Sequence, residues 1–119
     1  MRLDKLTIKA QEALAEAMDA ASGGGHPEIS TLHLLSALVG QEEGAVVSIL
    51  QRLGVPMGQI LSETSQAMDR LPKVSGGGQA VLSHESQQVL DSGWKLAQSL
   101  KDQYLSTEHI LLGILRHGK

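Results

Sequence analysis

Five histidines, thirteen carboxylates and no cysteine limit what this 119-residue chain can do chemically. Without thiols there is no disulfide, no thiolate nucleophile and no Cys-based zinc site. A histidine metal pair on a helix needs a second ligand one turn on. Four residues beyond His33 is Ala37, and four beyond His109 is Gly113, so neither has one. His84-Glu85 is followed by Ser86, Gln87 and Gln88, which breaks the two-histidine pattern of zinc proteases. The glycine runs at 23–25 and 76–78 lack the Gly-Lys-Ser/Thr ending that would reach a phosphate and its magnesium. No Ser-His-Asp order or carboxylate pair can be defended, so no catalytic residue is assigned and a hidden hydrolase has nothing to rest on. His33 and His109 read instead as packing or hydrogen-bonding residues.

Composition narrows the function further. Hydrophobic residues make up 41% and charged residues 19%, the balance of a folded soluble domain. Trp94 and Tyr104 are the only aromatic residues, so the core must be aliphatic, which suits helices better than strands. The net charge of -3 and scattered lysines and arginines argue against a nucleic-acid surface. No apolar run approaches the roughly 18 residues that span a bilayer. The opening Met1-Arg2-Leu3-Asp4-Lys5 lacks the apolar stretch of a signal peptide. The chain is expected to be cytoplasmic, with no nucleic-acid or membrane partner.

Six helices are expected to carry these residues. The first runs from its cap Thr7 to Ser22, with Leu6, Ala10, Leu14, Ala17 and Ala21 as one stripe, and ends at Gly23-Gly24-Gly25. Ser30 caps a second to about Val39, and a third covers Ala45–Leu53 with Val46, Ile49, Leu50 and Leu53 inward. Pro56 opens a fourth carrying Ile60, Leu61, Thr64, Met68 and Leu71. Residues 72–81 read as a Gly-rich linker. A fifth helix follows from Ser83 to about Leu100, with Val89, Leu90, Trp94, Ala97 and Leu100 apolar. A sixth starts at Ser106 with Ile110, Leu111, Ile114 and Leu115. No alternating strand pattern appears.

Two of these stretches are copies. Residues 6–40 align with 82–116 without a gap, and eight pairs are identical: Leu6/Leu82, Gln11/Gln87, Leu14/Leu90, Ala21/Ala97, Ser30/Ser106, Thr31/Thr107, His33/His109 and Leu35/Leu111. The matches fall at helix caps and along apolar faces, where folding constrains residue type. The fold expected is therefore all-α. Two pseudo-symmetric helical repeats, about 1–71 and from 82 onward, are joined by the linker, with a partner groove at their seam. The second repeat stops at Lys119 after two helices, so the chain reads as a fragment whose remaining helices would follow.

The segments Leu3-Asp4-Lys5-Leu6-Thr7, Ala10–Leu14, Leu32–Leu38, Ala67–Val74 and Leu105–Leu111 resemble the N-terminal double Clp repeat domain of the Clp/Hsp100 family. The opening and Arg70-Leu71-Pro72 are most similar to its ClpB disaggregase branch. The resemblance implies a non-catalytic, substrate-recruiting domain that engages unfolded or aggregated polypeptide and passes it to a hexameric AAA+ ring. ATP and Mg would belong to those AAA+ modules, and Hsp70-system cooperation is implied by the family. It also implies a binding patch at Thr7, Asp102 and Glu108, with Leu90 lining an apolar groove. Ser92 and His109 stand where that groove is often more apolar. The alternative it offers is an adaptor-docking domain of a ClpA/ClpC-type unfoldase. Phosphoarginine binding is not expected, because Leu32 replaces one of the acid pair it needs and only Glu108 remains.

Overall fold

The computed structural model describes residues 3–74 and 79–117. A 3-10 turn, Leu3–Lys5, precedes α1 (Ile8–Gly23), β1 (Glu28–Ile29), α2 (Thr31–Gly40), α3 (Ala45–Arg52) and α4 (Met57–Asp69). Then come β2 (Val81–Leu82), α5 (His84–Ser99) and α6 (Thr107–His117). Each expected helix is present to within a residue or two. The glycines at 76–78 lie outside the described residues.

Local chemistry sets the helix ends. The Thr7 hydroxyl accepts from the Ala10 N–H at 3.1 Å to cap α1, and Ser83 does the same for Ser86 at the start of α5. Both helices end on paired backbone bonds that satisfy their last carbonyls: His26 N–H to Ala21 O and Asp102 N–H to Ala97 O, each 2.8 Å. That geometry needs a left-handed residue, supplied by Gly25 (φ 77°) in the first case and Lys101 (φ 63°) in the second. A side chain there is strained. Lys101→Gly is expected to stabilise the domain by about 1 kcal/mol, read as a rise in the urea midpoint.

The two short strands are what the sequence did not announce. β1 and β2 pair in parallel, Glu28 with Val81 and Ile29 with Leu82, and a parallel bridge joins Leu6 to Leu105. A two-residue strand has no room for an alternating pattern, so nothing in the periodicity marks it. The segment expected as linker is tied at both described ends. The Val74 N–H donates to Gly25 O at 2.8 Å, and the Ala80 N–H to the Ser22 hydroxyl at 3.2 Å. The two pairings cross between the aligned stretches, for Leu6 aligns with Leu82 and Ile29 with Leu105.

The core is aliphatic, as composition required. Leu34, Leu38, Val46, Val89, Leu105 and Ile110 are fully buried, each contributing about 1.5–3 kcal/mol by leaving water. On α1 the buried face is Ala10, Ala13, Ala17 and Ala21, small enough to bring α2 close, while Leu14 lies half-buried. Three expected faces are shifted. On α3 the buried residues are Val46, Val47 and Leu50; Ile49, expected inward, is exposed, and Leu53 sits past the last helical turn and is 72% exposed. On α5 and α6, Leu100 and Leu115 are exposed although their spacing places them on apolar stripes.

Candidate functional site

The repeated histidines finish the caps of α2 and α6. At the first, the Ser30 N–H donates to His33 Nδ1 at 2.9 Å while the His33 N–H reaches back to the Ser30 hydroxyl. At the second, the Ser106 N–H donates to His109 Nδ1, again at 2.9 Å. Histidine here plays the part that Glu or Gln plays in a reciprocal cap. A backbone N–H can only donate, so each Nδ1 carries a lone pair and each neutral ring keeps its proton on Nε2. The far sides differ: His109 Nε2–H donates to Asp102 Oδ2 at 3.0 Å, and His33 Nε2–H to His26 Nδ1 at 2.9 Å.

The second cap opens onto a surface cavity of about 480 Å³. The backbone places its walls. Leu105 N–H donates to Lys5 O at 2.7 Å and Thr7 N–H to Leu105 O at 2.9 Å, docking the start of α1 beside the loop before α6. Thr7, Asp102, Glu108 and His109 therefore line one space, although nearly a hundred residues separate the first from the rest. The exposed apolar side chains Leu100, Tyr104 and Leu112 share it. Its charge is acidic, with no Lys or Arg among the lining residues.

The four polar residues are not equally free. Thr7 is committed to capping α1, and Asp102 to holding His109, itself buried. Glu108 accepts only a neighbouring bond from the Thr107 hydroxyl at 3.1 Å and stands in the first turn of α6, where the helix dipole favours a carboxylate. Leu90 is elsewhere: at 3% exposure it belongs to the core and does not line this cavity. Ser92 lines a different cleft, of about 540 Å³, between α5 and the end of α6, with Lys95, Arg116 and Asp91 as its charged residues. Sequence reasoning missed Leu100, Tyr104 and Leu112 as site residues. The available signal was Tyr104, an aromatic outside any helical stripe.

Comparison with known proteins follows the same lines. Residues 5–119 match the model of the Clp repeat N-terminal domain. This chain belongs to that family. It is 42% identical over 115 residues to the chaperone protein ClpB of Rhodopirellula baltica, covering 97% of this chain and 13% of that one. The chain thus spans about an eighth of the length of the curated relatives it matches. Among solved structures, the Hsp104 N-terminal domain from Candida albicans superposes with a TM-score of 0.87 at 22% identity, covering 95% of this chain and 75% of that one. A ClpV N-domain in complex with a VipB peptide gives 0.84 at 23% identity, with 95% and 69% covered. The latter two establish a shared fold: mostly helical, with a small two-stranded sheet. The family match and the shared fold make this chain a Clp repeat N-terminal domain.

Proposed function

We propose that this domain recruits unfolded or aggregated polypeptide for a ClpB-type disaggregase. Its contact surface is the cavity formed by Thr7, Asp102, Glu108 and His109 with Leu100, Tyr104 and Leu112. The observation that carries the reading is convergence: residues distant in sequence meet in one open, acidic space rimmed by exposed apolar side chains. Exposed apolar groups clustered beside polar ones are the usual mark of a binding surface. That a ClpV N-domain of the same fold was solved with a peptide supports peptide binding here as well. The apolar rim would hold exposed hydrophobic segments, with Glu108 adding preference for neighbouring positive charge. The same reading makes the chain a two-repeat unit, about 1–71 and from 82 onward, with 72–81 between. The crossed pairing of Leu6 with Leu105 and Ile29 with Leu82 supports a pseudo-two-fold relation. It sits ahead of hexameric, ATP- and Mg-dependent AAA+ modules of a cytoplasmic parent that cooperates with an Hsp70 system.

The test is binding of a permanently unfolded model polypeptide and of its folded counterpart. Binding is expected for the unfolded form alone; equal affinity for both overturns the reading. Tyr104→Ala and Glu108→Gln are each expected to weaken binding about five- to tenfold, the equivalent of about 1 to 1.4 kcal/mol, with unchanged melting temperature. Loss on Glu108→Gln with none on Tyr104→Ala would favour adaptor docking of the ClpA/ClpC type instead.

A further inference from the structure

The first helix cap has a feature the second lacks. His26 is buried, with 8% of its surface exposed, and its Nε2 has no hydrogen-bond partner. Its ring lies 4.9 Å from that of His33, centroid to centroid. Ser30 N–H donates to His33 Nδ1, and His33 Nε2–H donates to His26 Nδ1, so the proton of neutral His26 sits on the orphaned Nε2. Every lone pair in this relay is therefore already in use. An added proton must go to His33 Nδ1, displacing the Ser30 N–H, or to His26 Nδ1, where it would face the His33 Nε2–H. Either way a bond breaks and a cation is left buried beside an unpaired donor. At the second cap the matching position is Asp102, a carboxylate that accepts from His109 Nε2–H where the first cap offers a second imidazole.

We propose that the His26–His33 pair is a proton-sensitive latch on the start of α2: closed while both rings are neutral, released when the pair takes up a proton. What it holds is defined by its neighbours. His26 borders a small cavity of about 100 Å³ whose other walls are Pro27, Glu28 and Ser30 on one side and Leu71 and Pro72 on the other. Release therefore loosens both the N-terminal turn of α2 and the contact with the Leu71–Val74 strap, which is tied to Gly25 through Val74. The charged or titratable groups on the surrounding elements do not compensate. Asp19 near the end of α1, Glu28 on β1, Asp69 and Arg70 at the end of α4, Lys73 on the strap, and His84 and Glu85 at the start of α5 are all exposed. Among the described residues neither ring forms an ion pair.

The direction of the pH effect follows. Burial, then the neighbouring His26, hold the His33 imidazole below its ordinary value of 6.5. The unfolded chain takes up a proton near that value before the folded chain does. The stability that neutral His33 contributes is thus present above about pH 6.5 and lost as pH falls below it towards the lower folded value. The expected result is a melting temperature that falls by about 5 °C between about pH 7.5 and pH 5.5, a loss greatly reduced in His26→Asp, which copies the second cap. In the unaltered chain, the Ser30 amide NMR resonance should shift over the same range more than that of Ser106. The latch is overturned by a flat wild-type melting profile, by a His26→Asp profile as steep as wild type, or by a Ser30 resonance that does not move.

Discussion

Gly113→Ala is expected to destabilise the domain by about 3 kcal/mol, against the roughly 1 kcal/mol gain that the same change gives in an exposed helix. The sign reverses because of what lies opposite. A methyl group on Gly113 would collide with the carbonyl oxygen of Val89 on α5, which is backbone and cannot rotate away. Gly93 is the complementary site on α5, where a methyl would stand 2.8 Å from the His109 carbonyl oxygen. The two glycines let α5 and α6 approach more closely than side chains allow, and Gly93→Ala should cost about 2 kcal/mol by the same argument. Because both changes wedge one interface, the double variant should lose less than the sum. A methyl group on Gly58 in α4 would meet nothing within 4 Å, so Gly58→Ala serves as the control and should be neutral or slightly stabilising. Urea denaturation separates the outcomes. A Gly113→Ala midpoint at or above wild type would mean that the helices can slide apart at no cost.

His33→Leu should be of similar size, about 3 kcal/mol, although leucine preserves most of the volume. His33 is completely buried, so the substitution is not a matter of exposed charge. It strips the Ser30 N–H of its acceptor and His26 Nδ1 of its donor, and each buried group left unpaired costs about 1–3 kcal/mol. His33→Gln is the informative comparison. A glutamine oxygen can accept from the Ser30 N–H, as in the ordinary reciprocal cap, so roughly half of the loss should return. Thermal unfolding of the two variants at about pH 7.5, where the imidazole is neutral, gives the ranking; equal losses would assign the effect to packing and not to the cap.

Helix ends were legible in the sequence because capping is local: Thr7, Ser30, Ser83 and the glycines after Ser22 act within a few residues of themselves. The histidine caps are visible in the sequence only as a recurrence, His33 with His109. Periodicity could say which residues share a helix face, but not which face another element covers. That is why Ile49 and Leu53, expected inward, are exposed, why the apolar stripes of α5 and α6 end in the exposed Leu100 and Leu115, and why Thr64 is more deeply buried than Ile60. The cavity proposed as the contact surface is half legible in the sequence. Its polar members came from resemblance, whereas Leu100, Tyr104 and Leu112 join them through the contact of Thr7 with Leu105, which no local pattern encodes.

That same contact and the β1–β2 pair bear on how the chain reaches its fold. Each joins residues far apart in sequence, and each links the early part of the chain to the late part. The helices can form on their own timescale, but these closures must wait until most of the polypeptide is present. Neither aligned stretch buries its own core residues alone, since Ile29 closes against Leu82 and Leu6 against Leu105. The two aligned stretches are therefore expected to act as a clasp and not as beads on a string: to melt in one transition, with neither half folding when expressed without the other.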